Sequence, residues 1–228
     1  MSPRITAISS MATRQLLAEL ARAFEQRSGC TVAIESVGGV DAARRVQAGE
    51  PFDVVVLASD AIDRLIASGQ VVGERVDLVR SPVAIAVRAG APHPDVASEL
   101  AVRRAVLAAG HICYSTGPSG VHLARLFERW GIAQEIRNRV VQAPPGVPVG
   151  TLVARGDVEL GFQQLSELMH LDGIDVLGPL PDEIQFITIF SAGLCAVSAH
   201  ADAVRAMLEF MTSPEAAVVK RRYGMEPA

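Results

Sequence analysis

Apolar residues recur along this chain in two alternating rhythms: short runs bounded by turn residues, and longer stretches at helical spacing. Residues 4–8 read as a strand running into a Ser9-Ser10 turn. Residues 11–28 read as a helix with Leu16, Leu17, Leu20, Ala21 and Phe24 on one face. Ser10 is placed to cap that helix and Gly29 to end it. A strand over 31–36, a Gly38-Gly39 turn and a helix over 41–48, stopped by Gly49, come next. The run 52–58 fits a parallel strand buried on both faces, and 61–68 a helix ending at Gly69. Further strands are expected at 79–87, 112–114, 160–163, 174–177 and 184–190. Helices are expected at 97–109, 121–130, 150–155, 201–212 and 214–223. The repeated strand–helix alternation predicts an α/β chain with mostly parallel sheets flanked by helices. No internal repeat interrupts it. The Pro-rich stretch at 143–148 is too short for a linker and reads as a functional loop.

Composition narrows the function classes. Half of the 228 residues are apolar, enough for a core without staples. The net charge is -4 and no Lys/Arg-rich block is present, so no nucleic-acid partner is expected. Lys220 is the one lysine, so cationic contacts fall to Arg, which suits carboxylates and other oxyanions. Cys30, Cys113 and Cys195 are odd in number and far apart, which argues against a disulfide framework and a zinc site. No apolar run is long enough to span a membrane, so no membrane insertion is expected. The first strand begins at about residue 4 with no signal peptide before it. A periplasmic location then requires that a leader has been removed, and otherwise the chain is cytoplasmic.

Several turns carry groups suited to an anion. Ser9 and Ser10 stand at the start of a helix, as a plain cap or as hydroxyl donors beside free N–H groups. Thr13 and Arg14 follow in its first turns, and Arg14 is in reach of a carboxylate. Gly38 and Gly39 permit a close backbone approach; Asp41 is expected to cap the next helix, and Arg44 or Arg45 to face the ligand. The stretch Tyr114-Ser115-Thr116-Gly117-Pro118-Ser119-Gly120 joins a strand to a helix. It makes an anion cradle by composition, with Ser119 and Gly120 presenting N–H groups. It lacks the Gly-Lys-Ser/Thr end of a nucleotide-phosphate loop. Val147 lies in the Pro-rich loop. Gln163 and Gln164 end a strand on opposite faces, so one of them is expected to look toward the ligand. His122 and Glu167 are ionisable neighbours, read as solvent-facing and as a helix-start residue respectively. Neither forms a recognisable acid/base pair by spacing, so no catalytic residue is assigned and no metal or cofactor is implied.

The opening strand with its Ser9-Ser10 turn and amphipathic helix, the Ala48-Gly49-Glu50-Pro51-Phe52-Asp53-Val54-Val55 segment, and Phe210-Met211-Thr212-Ser213-Pro214 with Tyr223-Gly224 resemble the periplasmic molybdate-binding proteins along nearly the whole chain. The resemblance implies a two-lobed type II periplasmic-binding-protein fold. Lobe 1 would be residues 1–80 with 192–228 returning to it, lobe 2 residues 81–191, with a hinge at the crossings and a ligand cleft between the lobes. Ser36-Val37-Gly38-Gly39-Val40-Asp41 replaces the serine-rich second loop of those proteins. Gln163-Gln164 stands where they carry a Tyr, and both departures count against molybdate. The Gly161-Phe162-Gln163-Gln164 and Phe190-Ser191-Ala192-Gly193 segments resemble a subgroup that includes aconitate isomerase.

Three functions follow from these readings. The first is a solute-binding protein of ABC-transporter type for a small anion, an oxyanion or a di- or tricarboxylate, with a permease as partner if exported. The second is an isomerase shifting a proton in a small polycarboxylate, with Tyr114, Glu35 and His122 as candidate bases. The third, an effector-sensing domain of a transcription regulator, ranks last because no helix-turn-helix precedes residue 4.

Overall fold

The computed structural model describes residues 3–144 and 146–228, so Pro145 of the Pro-rich loop lies outside the described residues. The chain divides into two compact units, Met1–Arg80 with Ile189–Ala228, and Ser81–Thr188. The first unit opens with β1 (Arg4–Ser10), α1 (Arg14–Ser28), β2 (Thr31–Val37), α2 (Gly39–Gln47), β3 (Val54–Ala58) and α3 (Ser59–Ala67). A long strand, β4 (Val71–Arg88), begins in the first unit and ends in the second. The second unit continues with α4 (Glu99–Ala108), β5 (Ile112–Tyr114), α5 (Pro118–Arg129), α6 (Ala133–Ile136) and β6 (Val140–Gln142). It closes with α7 (Val149–Arg155), β7 (Leu160–Gln164), α8 (Leu165–Leu168) and β8 (Ile174–Pro179). Strand β9 (Ile187–Cys195) returns the chain to the first unit. There α9 (Ala201–Thr212), α10 (Pro214–Arg222) and β10 (Glu226–Pro227) complete it.

In the first unit, β1 runs parallel to β2 and β3, while β9 runs antiparallel to β3. The alternation of strand side chains feeds two cores. Ile5, Ala7, Val54, Val56 and Ala58 pack with Leu16, Leu20 and Phe24 of α1 and with Val204 and Met207 of α9. Ile8, Val55 and Leu57 pack on the other face with Val46 of α2 and Ile62 and Leu65 of α3. Each such side chain, fully buried, contributes about 1.5–3 kcal/mol. The α1 boundaries follow local chemistry. Ser10 Oγ accepts the Ala12 N–H at 3.2 Å ahead of a single 3-10 turn, and Gly29 closes the helix at φ 69°, where a side chain would be strained.

In the second unit, β5 lies parallel between β6 and β7, β7 pairs antiparallel with β4, and β8 pairs with β4 as well. Val83, Ile85, Ile112, Leu160 and Phe162 pack toward α4 and α5. Cys113 packs with Val149 and Val153 of α7 on the opposite side, and Ala84 and Ala86 with Leu168 of α8.

Four expectations change. The strand expected at 79–87 begins earlier and spans Val71–Arg88. The apolar run at 52–58 yields a strand with one antiparallel neighbour, β9, because a doubly buried strand reports covered faces and not the direction of its neighbours. The strand expected at 184–190 starts at Ile187, after a 3-10 turn at Asp182–Ile184. Gln185 causes the delay. Its Oε1 accepts the Val83 N–H at 2.9 Å and its Nε2 donates to Val83 O at 3.2 Å and Leu180 O at 3.0 Å, so a side chain takes the ladder position beside β4. The helix expected at 121–130 begins at Pro118, whose fixed φ and missing N–H suit the first helical position.

Candidate functional site

Each unit ends its parallel strands at an edge from which helices depart. Such an edge presents helix N-termini, whose first N–H groups have no intrahelical acceptor. In the first unit, β1 ends at Ser10, β2 at Val37 and β3 at Ala58, leading to α1, α2 and α3. Ser9 and Ser36 are directly paired across β1 and β2, and their hydroxyls lie 2.8 Å apart. Ser9 is fully buried, and its Oγ also donates to Ser10 O at 3.3 Å. Thr13 Oγ1 donates to the same carbonyl at 3.2 Å. Gly38 is the N-cap of α2 and Gly39 its first residue; a Cβ on Gly39 would lie 3.8 Å from both Ser10 Cβ and Leu57 Cδ2. The sequence reading named Ser36 only as part of a loop that departs from the molybdate-binding pattern and not as a site residue, although it stands at the strand end equivalent to that of Ser9.

Charges around this edge are mostly spoken for. Asp41 does not cap α2, because the helix already starts at Gly39; it accepts instead from Arg44 Nη2 at 2.7 Å. Arg45 is engaged by carboxylates and a ring. It grips Glu35 and Glu50, at 2.5 and 2.7 Å, and lies over the Phe52 ring. The hydrogen bond from Arg45 holds the Glu35 carboxyl below its ordinary range, so Glu35 is a poor base. Arg14, exposed in the first turn of α1, makes no ion pair among the described residues.

In the second unit, β5, β6 and β7 end at Tyr114, Gln142 and Gln164. The Ser115–Gly120 stretch is tightly determined. Ser115 Oγ accepts the Gly117 N–H at 3.3 Å and lies 3.5 Å from the buried Ser119 Oγ. A Cβ on Gly120 would sit 1.7 Å from Ser115 O and 3.0 Å from the Tyr114 ring, so only glycine fits there. Tyr114 packs on Phe127 with ring centroids 6.0 Å apart. Its hydroxyl titrates above the ordinary range, through burial first and then the charges of Cys113 and Glu128, which weakens it as a base.

The remaining candidates divide. Val147 is half-buried, its N–H donating to Pro144 O at 3.0 Å. The two glutamines separate onto opposite faces, and both are buried. Gln163 is spent on structure: its Oε1 accepts the Val149 N–H at 2.9 Å, capping α7, and its Nε2 donates to Glu167 Oε1 at 2.8 Å. Gln164 lies on the α5 face. Its Nε2 donates to Thr188 Oγ1 at 2.7 Å, while its buried Oε1 has no partner among the described residues. His122 is not solvent-facing, since its ring stacks on Phe186 at 4.8 Å and its Nε2 meets Ile184 O at 3.1 Å. Glu167 is more than a helix-start residue. Crowding around its carboxyl pushes its pKa up to about 7, against the hydrogen bond from Gln163, although part of the side chain reaches the surface.

Among the described residues no three His, Cys, Asp or Glu side chains gather as a metal site, and no helix is long and apolar enough to cross a membrane. An open depression of about 370 Å³ in the first unit is lined by Asp63, Ile66, Gly73, Glu74, Arg75 and Asp77. Arg75 there is neutralised by Asp63 at 2.6 Å and Asp77 at 2.9 Å, so it offers an anion nothing.

The model of the family described as bacterial extracellular solute-binding protein matches residues 5–226. This chain belongs to that family. An aconitate isomerase from Pseudomonas sp is 39% identical over 230 residues, spanning 98% of this chain and 87% of that protein. Among solved structures, the periplasmic molybdate-binding protein of Azotobacter vinelandii superposes with a TM-score of 0.80 at 19% identity, over 97% of this chain and 98% of its own. The sulfate-binding protein SubI of Mycobacterium tuberculosis gives 0.81 at 19% identity, over 99% and 87%. The fold is that of the two-lobed type II binding proteins.

Proposed function

We propose that this family member binds a small anion, an oxyanion or a di- or tricarboxylate, chiefly through hydroxyl and N–H donors at the ends of its parallel strands. The observation that carries the reading is the Ser115–Gly120 stretch. There the backbone contact at Gly120 fixes the start of α5, and the buried Ser119 hydroxyl stands beside its N–H groups. In the first unit, Ser9 and Ser10 supply hydroxyls and Arg14 an unpaired charge. Ser115, Gly38, Gly39, Tyr114 and the open end of Gln164 complete the candidate set. Solute-binding proteins of this kind work outside the cytoplasmic membrane with an ABC permease, and we assign this chain the same setting.

A thermal-shift titration tests the reading, using molybdate, tungstate, sulfate, citrate and aconitate. A ligand at a hundred times its Kd adds roughly 2.7 kcal/mol, a shift of roughly 5–10 °C for a chain of this size. Ser9→Ala and Ser119→Ala are each expected to weaken binding by about 1.5–3 kcal/mol. If none of these anions moves the melting point, or if both substitutions leave affinity intact, the reading fails.

A second reading, isomerisation of a polycarboxylate, is favoured by the 39% identity to an aconitate isomerase over 98% of the chain. Conversion of cis- to trans-aconitate or its allylic isomer by the purified protein, followed by NMR, tests it.

A further inference from the structure

Three parallel strands of the second unit, β6, β5 and β7, finish at one edge. The chain leaves it through residues 115–121, 143–149 and 165–168. Among these segments the sequence has one ionisable side chain, Glu167. They are also wired together: the Ala143 N–H donates to Tyr114 O at 3.0 Å, and Gln163 ties the start of α7 to Glu167. One Glu167 oxygen is held by a neutral amide, and the forces on its carboxyl are burial and that hydrogen bond, with no cation among them for the described residues.

We propose that Glu167 carries the proton in an allylic shift, taking it from one carbon of the ligand and returning it to another. This rests on the isomerase reading. The carboxylate removes a proton from the carbon next to the double bond. The C–H electron pair forms the new double bond as the old one moves its electrons to the far carbon, and that carbon takes the proton back from Glu167. The carboxylate is regenerated, and no oxidant or further reactant is consumed. Charge that develops on the ligand's carboxylates meets the N–H groups at the start of α5.

The environment suits a group that both accepts and releases a proton near neutrality. Its carboxyl titrates at about 7, raised by desolvation. Its helix packs against β7 and β8, and Leu168 beside it lies against Gly150 of α7. Strand β7 offers Gln163 and no charge. The one ionisable side chain of β8, Asp175, is engaged by the Gly90 N–H and His93, and the one of α7, Arg155, is exposed at its far end. Beyond α8, His170 is exposed and makes contacts of its own.

The experiment follows deuterium incorporation and double-bond migration in cis-aconitate by NMR, with the full chain in D2O. Wild-type protein is expected to exchange with a rate that rises through an apparent pKa near 7. Glu167→Gln keeps an acceptor for Gln163 and is expected to lose about 10²–10⁴-fold in rate while its aconitate thermal shift persists. Glu167→Asp withdraws the carboxyl and is expected to be slowed with the pH dependence retained. If wild-type protein binds aconitate but neither exchanges nor isomerises it, the isomerase reading fails and takes this proposal with it. If wild-type protein is active and Glu167→Gln matches it, or Glu167→Asp loses the titration, the proposal alone is overturned.

Discussion

The strand edges of the two units solve one problem with different means. In the first unit, hydroxyls satisfy one another, Ser9 with Ser36 and Ser10 with the start of the helix, and the glycines have room around them. In the second, backbone contacts decide the geometry, and Gly120 has no space for a single extra carbon. Charge differs as well. The first edge is ringed by ion pairs with Arg14 left over, whereas the loops of the second carry the lone carboxyl of Glu167. A donor held by hydrogen bonds tolerates substitution one contact at a time. A donor held by sterics fails as a unit.

The largest effect should therefore come from Gly120→Ala. The new Cβ meets the Ser115 carbonyl oxygen at 1.7 Å, and that obstacle is backbone, which cannot swing aside as a flexible side chain would. A cost of about 3 kcal/mol or more is expected by urea denaturation, with loss of anion binding. A cost under about 1 kcal/mol would mean that the loop repacks readily, and the contrast between the two edges would collapse.

Glu167→Gln sharpens the electrostatic side of the comparison. The folded carboxyl titrates at about 7, above the ordinary value of 4.5. Below the lower value both folded and unfolded chains hold the proton, and the group costs nothing. As pH rises toward 7 the unfolded chain releases the proton more readily, so the native carboxyl becomes a growing liability that levels off above 7. The variant should match wild type near pH 4.5 and exceed it at pH 8 by up to about 3 kcal/mol. Melting curves across that range check the sign. A wild-type advantage at pH 8 would place the ionised carboxylate in a favourable site.

Much of this contrast was legible in the residues. The alternation of short apolar runs and amphipathic stretches located nearly every helix, because burial imposes period and the glycines at 29, 49 and 69 mark the ends. Ser119 and Gly120 stood out because a strand–hydroxyl–glycine–helix order has few uses. What escaped was tertiary. Residues 71–78 of β4 include Gly73, Glu74 and Arg75, a polar stretch without strand periodicity, and β4 is held in the sheet beside β9, a partner remote in sequence. Gln163 looks in sequence like a ligand group, yet the fold spends both ends of its amide on α7 and Glu167. Nothing local to Glu167 announces a raised pKa, since desolvation is a sum over neighbours that the fold brings together.

The smallest expected effect separates packing from approach at the first edge. In Gly39→Ala the added methyl would lie 3.8 Å from Ser10 Cβ and Leu57 Cδ2, an ordinary contact, and the position is the first of α2. Alanine narrows the unfolded ensemble, so stability should hold or rise by roughly 0.4–1 kcal/mol. On the proposed reading ligand affinity should move the other way, because the methyl would stand beside Ser10, where that reading brings the anion. Melting temperature and anion titration on the same variant give the two numbers. A more stable protein with weaker binding assigns Gly39 to ligand approach. Unchanged affinity would leave it a turn residue, with the binding weight of the first unit on Ser9, Ser10 and Arg14.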